Sequence, residues 1–355
     1  MRMGELGLDR RDRVTGCLLG GAVGDALGAP VQFMSLREIR DRYGDDGIRE
    51  LDIAYGRVGA ITDDTQMTLF TAEGLIRAES RHRDRGTCNP AGVVYRAYLR
   101  WLKTQGYTDP ALPYFDKAPG WLVGVHELHS RRAPGNTCIS ALASGKMGTR
   151  EGPINTSKGC GTVMRVAPVG LINARDPFAL GCETAALTHG HITGQLAAGA
   201  LALIVHLLLD SHSLNDAIAG ALDRLSTETG NEETTTAIRR AVALAESDVA
   251  PTAETVEHLG GGWIAEEAIA ISLFCALMAK DDFAYGVRLA VNHTGDSDST
   301  GAIAGNLLGA KLGADAIPSP WLDQLDLREV IQTVAEDLAT WHRDDEVWRD
   351  RYPPV

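Results

Sequence analysis

The segment VTGCLLGGAVGDALG, residues 14–28, and the segment GAIAGNLLGAKLG, residues 301–313, both carry glycine at every fourth position. Residues four apart lie on nearly the same face of an α-helix, so each segment would present a bare stripe. Glycine inside a helix costs about 1 kcal/mol relative to alanine, and close packing of two helices would offset that cost. We therefore predict that both segments are central helices that pack on each other. Such packing would draw the residues just before Gly301 into the interior, near Asp25.

Hydrophobic residues recur with helical spacing along most of the chain, and no segment shows the strict alternation that is typical of a strand. No linker rich in Pro, Gly and Ser divides the 355 residues, so the sequence predicts one mainly α-helical domain over residues 1–355, with its core over about 14–313. Region 104–162 is richer in Gly, Pro, Asn and Thr, and we expect ligand-binding loops there. The predicted helices are 14–27, 67–79, 91–103, 192–209, 214–225, 234–247, 265–278, 281–291, 301–312 and a C-terminal helix over 327–341.

The composition disfavours several classes of function. The net charge of −13 argues against a nucleic-acid groove built from a basic excess, although Gly-rich turns can bind the phosphates of a small molecule through backbone N–H groups. The six cysteines show no metal-binding spacing, which is typical of reduced thiols in the cytoplasm. The N-terminal segment lacks the apolar region of a signal peptide, and the apolar run 196–209 is too short to span a bilayer. We expect a soluble cytoplasmic protein without a membrane partner.

Two short acidic clusters lie far apart in the sequence. The first, TDD, occupies residues 62–64 and the second, DSDS, occupies residues 296–299, each at the predicted start of a helix. Each cluster alone is compatible with an ordinary helix cap. If the fold joins them, four carboxylates and several hydroxyls suit one or two Mg²⁺ or Mn²⁺ ions. Buried carboxylates this close would repel each other unless a cation were bound, so we favour a metal site over two separate caps.

Five segments occur in a characteristic order: GDALGAPVQF from residue 24, ITDDTQM from 61, SKGCGTVMR from 157, LTHGH from 187 and GDSDSTGAIAG from 295. In these segments the chain resembles the ADP-ribosylglycohydrolase family, and the resemblance spans about residues 14–313. The resemblance implies an all-α, orthogonally packed helical bundle with a central site for two divalent cations, Mg²⁺ or Mn²⁺. It also implies hydrolysis of the bond between ADP-ribose and a modified protein or a small conjugate.

The resemblance also assigns roles to individual residues. Asp25 would support the site through hydrogen bonds, and Lys158 would either contact a phosphate or remain a solvated loop lysine. We predict that Asp296 or Asp63 removes the proton of the attacking water. The metal ligands would be Thr62, Asp63, Asp64, Asp296, Asp298 and Ser299. The residues around the ADP-ribose would be Gly135, Asn136, Thr137, Ser157, Lys158, Gly159, Cys160, Gly161 and His189.

Two positions depart from the family pattern. Gln32 stands where relatives commonly carry a glutamate that reaches the metal site and gates it. Cys160 stands where relatives often carry an asparagine. Because a glutamine side chain has no charge, it is a poorer ligand for a hard cation, and we expect no third acidic contribution from the gate position.

The GDSDSTG segment is more similar to arginine-directed members of the family than to serine-directed members, whose segment often reads GDTDT. We therefore predict an N-glycosidic ADP-ribosyl-arginine substrate. The alternatives are hydrolysis of O-linked ADP-ribose on serine or a small metabolite, a phosphatase-like activity, and a non-catalytic role as a crystallin-like or ADP-ribose-binding protein. The non-catalytic role is disfavoured because it gives no reason to keep all six residues of the metal-binding type.

Overall fold

The computed structural model describes residues 9–109 and 120–354, and nearly all regular structure in these ranges is helical. The α-helices are α1 (Arg10–Gly28), α2 (Leu36–Tyr43), α3 (Asp63–Arg85), α4 (Pro90–Thr104), α5 (Asn136–Ala143), α6 (Ala167–Leu171), α7 (Pro177–Ala186), α8 (Ile192–Leu209), α9 (Leu214–Leu225), α10 (Glu232–Ala245), α11 (Ala253–Glu257), α12 (Ala265–Ala279), α13 (Phe283–Val291), α14 (Ser297–Leu312), α15 (Ser319–Gln324), α16 (Arg328–Thr340) and α17 (Glu346–Arg351). The short 3₁₀ helices are Leu122–Gly124, His126–Leu128, Cys160–Thr162 and Ala314–Ala316. The strands β1 (Ile53–Ala54) and β2 (Arg57–Val58) pair antiparallel.

Every helix predicted from hydrophobic spacing is present, and the all-α class is confirmed. The sequence pattern gave no sign of the strands β1 and β2, which are too short to show an alternation. The sequence pattern also missed short helices that depend on local caps. At the start of α2, Ser35 and Glu38 form a reciprocal capping box, and at the start of α7 the Asp176 carboxylate accepts the N–H of Ala179. Of the expected loop region 104–162, residues 110–119 lie outside the described residues.

Helices α1 and α14 pack backbone to backbone, as their glycine stripes predict. A Cβ atom added at Gly20 or Gly24 would lie under 3.0 Å from a backbone carbonyl of α14. The same holds in reverse for Gly301 and Gly305 against α1. The helices run antiparallel, and the end of α1 meets the start of α14 at Gly28. The facing glycine pairs are Gly16–Gly309, Gly20–Gly305 and Gly24–Gly301.

The other helices surround this central pair. Helix α16 packs on α1, while α12 and α13 pack on α14. Helix α3 pairs with α4, and α8 packs against α6, α7 and α9. Both central helices are buried along most of their length, because they are covered on their remaining faces by these neighbours.

Helix α8 is the one helix among the described residues that is long and apolar enough to cross a membrane, with a mean hydropathy of 1.9 over Ile192–Leu209. In the fold 78% of this segment is buried within the protein, which is typical of a core helix. The apolar run 196–209, which is too short to span a bilayer, is only part of this helix. The helix begins at Ile192 rather than at Leu196, and so it reaches 18 residues.

Replacement of Gly305 by alanine tests the packing of α1 against α14. The added methyl group would collide with the backbone of α1, which no side-chain movement relieves. We expect the free energy of unfolding to fall by about 3 kcal/mol or more, measured by urea denaturation. Gly92→Ala in α4 is the control, because a Cβ atom there has its nearest neighbour at 3.5 Å and alanine favours the helix. A Gly305→Ala protein as stable as the wild type would contradict the described packing.

Candidate active site

One cavity of about 460 Å³ lies where several helix ends meet. The starts of α3 and α14 form its acidic part. The segment that follows α1, the start of α5 and the 3₁₀ helix Cys160–Thr162 form further walls. Both acidic clusters are therefore brought together. The lining includes these residues predicted from the sequence: Gln32, Asp63, Asp64, Gly135, Asn136, Thr137, Gly159, Cys160, Gly161, His189, Asp296 and Ser299. The predicted residues outside the lining are Thr62, Ser157, Lys158 and Asp298.

Each acidic cluster does begin a helix, but only one acts as a side-chain cap. Thr62 is the N-cap of α3, and its hydroxyl accepts the N–H of Asp64 at 3.3 Å. Asp296 occupies the corresponding position before α14, yet its side chain accepts no hydrogen bond from that helix. The cap interpretation accounts for Thr62 and leaves the carboxylates available for other partners.

Asp25 on α1 fixes the start of α3. Its carboxylate accepts the N–H of Thr62 at 2.9 Å, the N–H of Thr65 at 3.1 Å and the hydroxyl of Thr65 at 2.5 Å. Burial raises the pKa of Asp25 to about 6, while these hydrogen bonds oppose the rise. Asp25 thus supports the first acidic cluster without lining the cavity.

The carboxylates of the two clusters are buried and have few partners. Asp63 accepts the N–H of Gly135 at 3.2 Å, and Asp298 accepts the N–H of Ser299 at 2.9 Å. One oxygen of Asp64 and one oxygen of Asp298 have no hydrogen-bond partner. Burial is the largest cause that raises the pKa of Asp63, Asp64 and Asp298 well above the ordinary value, and repulsion between neighbouring carboxylates adds to it.

This donor set fits hard divalent cations. Asp63, Asp64 and Asp296 line one cavity together with the hydroxyl residue Ser299. Buried carboxylate oxygens without partners, as on Asp64, are ligands of the kind that Mg²⁺ and Mn²⁺ prefer. Within residues 9–109 and 120–354, no three His, Cys, Asp or Glu side chains are arranged to enclose one ion. These side chains would therefore have to turn toward the ions on binding.

Two loops bring predicted ligand residues to the cavity. Helix α5 begins at Asn136 without a side-chain cap, so its first N–H groups are left for a ligand. The second loop leads into the 3₁₀ helix Cys160–Thr162. The hydroxyls of Ser157 and Thr137 lie 3.1 Å apart and link the two loops. The loops therefore form one continuous wall.

Residues 7–346 match the family model of the ADP-ribosylglycohydrolases. The chain belongs to the ADP-ribosylglycohydrolase family. Both the family and the all-α fold that the resemblance in sequence implied are confirmed.

Three known proteins illustrate the similarity. The ADP-ribosyl-[dinitrogen reductase] glycohydrolase of Rhodospirillum rubrum is 29% identical over 340 residues, which cover 92% of this chain and 96% of that protein. The ADP-ribosylarginine hydrolase Tri1 of Pseudomonas putida is 24% identical over 92% of this chain and 78% of its own length. A solved structure described as an ADP-ribosylglycohydrolase-related protein complex has a TM-score of 0.59 and 26% identity, over 94% of this chain and 98% of that chain.

Lys158 has a different place from the one predicted for a phosphate ligand in this family. Its ammonium group donates to the carboxylate of Glu233 at 2.7 Å and to that of Glu266. It lines a separate pocket, and its side chain is only 28% exposed, so it is not a solvated loop lysine either. Because the two glutamates belong to α10 and α12, Lys158 ties its loop to these helices.

Gln32 and Cys160, the two residues that depart from the family pattern, both contact Asp296. The amide of Gln32 donates to one carboxylate oxygen at 3.1 Å, and the thiol of Cys160 donates to the other at 2.7 Å. Burial, followed by the charges of Asp296 and Asp64, raises the pKa of Cys160 well above its ordinary value. The thiol therefore stays protonated and acts as a donor. Gln32 and Cys160 orient Asp296 without adding charge.

Other residues that line the cavity were not predicted from the sequence. Cys138 and Met164 are buried beside the two loops, whereas Phe33 and Trp263 are exposed at the mouth. Phe33 directly follows the gate position, and this adjacency is a signal that could have identified it. Trp263 lies outside every segment that carries the family resemblance, so the sequence held no comparable signal for it.

The imidazole of His189 is fixed from behind the cavity wall. The guanidinium of Arg165 donates to the Thr188 hydroxyl at 2.6 Å, and this hydroxyl lies 2.8 Å from His189 Nδ1. Because arginine can only donate, the hydroxyl accepts from Arg165 and keeps its own proton available, and we predict that this proton points to Nδ1. Burial, followed by the charge of Arg165, holds the pKa of His189 well below its ordinary value. The ring is therefore neutral, and in the predicted tautomer its proton lies on Nε2, beside Gly159 and Gly161.

Thr188→Val tests this arrangement. The substitution removes the hydroxyl that donates to Nδ1, so we expect His189 to lose its single tautomer and to show a mixture of both. Nitrogen-15 NMR of histidine-labelled protein measures the two ring nitrogens separately. Thr188→Ser keeps the hydroxyl and should retain the wild-type spectrum. A wild-type spectrum with the proton on Nδ1 would show that the hydroxyl accepts rather than donates.

Proposed function

We propose that this protein is a metal-dependent hydrolase that removes ADP-ribose from a modified side chain, with N-linked ADP-ribosyl-arginine as its preferred substrate. One observation carries the proposal: buried carboxylates from two distant segments meet at a cavity with Gly-rich walls and have too few hydrogen-bond partners. Hard cations would neutralise such a cluster, and uncapped N–H groups nearby suit a phosphate-bearing substrate. Membership in the ADP-ribosylglycohydrolase family supports the same activity.

Two divalent cations, Mg²⁺ or Mn²⁺, fit the acidic part of the cavity. When bound, such cations lower the pKa of a water molecule and orient the ribose hydroxyls. Asp25 is not among the proposed ligands, because three hydrogen bonds from α3 already occupy its carboxylate. The proposed ligands are Thr62, Asp63, Asp64, Asp296, Asp298 and Ser299.

Asp296 is the proposed general base. Gln32 and Cys160 hold its two oxygens, so its orientation is set before the substrate arrives. It takes a proton from the attacking water while the glycosidic bond breaks and positive charge develops on the ribose. Asp63 is the alternative base, because it also lines the cavity. Its carboxylate accepts one hydrogen bond, from the backbone N–H of Gly135. The remaining carboxylates would hold the metal ions.

The diphosphate would be bound without basic side chains. Helix α5 presents uncapped N–H groups to the cavity, and the neutral His189 offers its Nε2–H. Among the described residues of the cavity wall, none is lysine or arginine. The N-terminal N–H groups of α5 and the Nε2–H of His189 would therefore bind the diphosphate in place of positively charged side chains.

The arginine linkage is proposed from two similarities. The GDSDSTG segment resembles that of arginine-directed relatives, and the Pseudomonas putida relative is named an ADP-ribosylarginine hydrolase. The acidic cavity also suits a leaving group that carries positive charge. Hydrolysis of O-linked ADP-ribose, phosphate-ester hydrolysis and binding without turnover are the alternatives that experiment separates.

Purified protein should release ADP-ribose from an ADP-ribosyl-arginine peptide faster than from an ADP-ribosyl-serine peptide, and EDTA should stop the release. Mass spectrometry of the peptides measures it. Asp296→Ala should lower kcat by about a hundred- to ten-thousand-fold, the usual range for a general base, and weaken metal binding. Asp315→Ala is the control, because Asp315 is an exposed carboxylate outside the cavity.

Each contrary outcome of that assay has a distinct meaning. Faster release from serine would favour the O-linked substrate, and release from neither peptide would favour a binding role. Release that ignores EDTA would overturn the metal dependence. An active, metal-replete Asp296→Ala enzyme would overturn the assignment of the base.

Asp64→Asn separates carboxylate repulsion from metal binding. In EDTA at neutral pH the substitution removes one repelling charge and should raise Tm. Because the folded state raises the pKa of Asp64, this advantage should shrink as the pH falls and the wild-type carboxyl becomes protonated. Mn²⁺ or Mg²⁺ should raise the Tm of the wild type but not of the variant, as differential scanning fluorimetry measures. Asp315→Asn should behave like the wild type, and a wild type that neither ion stabilises would contradict the metal site.

A further inference from the structure

Phe33 and Trp263 form a stacked aromatic pair at the mouth of the cavity, here named the aromatic rim. Their ring centroids lie 5.9 Å apart with an interplanar angle of 19°. Phe33 is 71% exposed and Trp263 is 46% exposed, and both line the cavity. Since aromatic side chains contribute large apolar areas, a pair left this exposed beside a site indicates a surface that binds a ligand.

The aromatic rim is positioned by the residues that hold the proposed base. Phe33 directly follows Gln32, whose amide donates to Asp296. The carbonyl of Trp263 accepts the N–H of Cys160 at 3.1 Å, and the Cys160 thiol donates to the same carboxylate. Phe33 is therefore adjacent in sequence to a residue that contacts Asp296, and Trp263 is hydrogen-bonded to another such residue.

The charge of the cavity restricts the chemistry of a ligand at the rim. Among the described lining residues, three are aspartates and none is lysine or arginine, and the whole chain carries a net charge of −13. A planar cation would be attracted both by the aromatic faces and by the carboxylates. A guanidinium group is such a cation, since it is flat, always charged and stacks on aromatic rings.

We propose that the aromatic rim binds the guanidinium group of the modified arginine and thereby selects arginine over serine as the acceptor. The inference rests on the proposed function, because it assigns the acceptor side of that same site. Asp296 acts at the bond between ADP-ribose and the acceptor, so the rim beside it faces the acceptor as it leaves through the exposed mouth. A serine acceptor presents no planar cation and gains nothing from the rim.

Phe33→Leu and Trp263→Leu test the proposal, because each keeps an apolar side chain and removes the aromatic face. Both positions are exposed, so the fold should be retained. With the ADP-ribosyl-arginine peptide, KM should rise about five- to thirty-fold, as expected for the loss of a cation–π contact. With the ADP-ribosyl-serine peptide, KM should stay within about twofold. Tyr285→Leu is the control, because Tyr285 is a 39% exposed aromatic residue that lines a different pocket.

Binding without turnover separates this proposal from the proposed function. The probe is a carbocyclic ADP-ribosyl-arginine peptide, in which a methylene group replaces the ring oxygen of the distal ribose and no oxocarbenium ion can form. The wild type should bind this probe more tightly than free ADP-ribose, and both rim variants should lose the difference while keeping their affinity for ADP-ribose.

Three outcomes decide the matter. Equal loss of affinity for the probe and for ADP-ribose would mean that the rim contacts adenine or ribose, which overturns the proposal. Unchanged binding of the probe in both variants would overturn it as well. A wild type that binds the probe with the expected preference but hydrolyses no ADP-ribosyl peptide would contradict the proposed function alone.

Discussion

Close packing of α1 against α14 is the constraint on which the site depends. Glycines on both helices let the two backbones meet, and this contact draws the start of α14, with Asp296 and Asp298, into the interior. The same helix α1 carries Asp25, which holds the start of α3 through hydrogen bonds and so places Asp63 and Asp64. The local sequence of neither acidic cluster determines that the cluster lies at the cavity. The contact between the glycine-rich faces of α1 and α14 positions both clusters.

The described residues that line the cavity carry no positive charge. Arg165 lies behind the wall and acts on His189 through a hydroxyl, so the ring that lines the cavity stays neutral. Lys158 turns away to two glutamates, and the donors to Asp296 are an uncharged amide and a protonated thiol. The buried carboxylates therefore keep their mutual repulsion, which their raised pKa values record. Carboxylates without neutralising partners are costly to bury, and the large apolar core around them offsets that cost.

The long helices and the acidic part of the site are predictable from the sequence because both leave a short-range pattern. Hydrophobic spacing predicts the helices, and the glycine period predicts that α1 meets α14. The missed features depend on contacts between distant segments. The direction of Lys158 is decided by Glu233 and Glu266 on two other helices, and the stacking of Phe33 on Trp263 joins segments more than two hundred residues apart. Short helices such as α2 depend on single caps, and hydrophobic periodicity does not detect a cap.

The contact between Gly24 and Gly301 joins residues far apart in the sequence, so it can form only late in synthesis. Helix α1 leaves the ribosome first, yet its partner emerges only after most of the chain has been translated. At the usual rates of elongation this delay is on the order of tens of seconds. Until then the face of α1 that packs on α14 lacks its native partner. The loop between Gly24 and Gly301 is also long, which makes its closure costly in entropy. The carboxylate cluster includes Asp296 and Asp298, so it cannot assemble before the start of α14 has been translated.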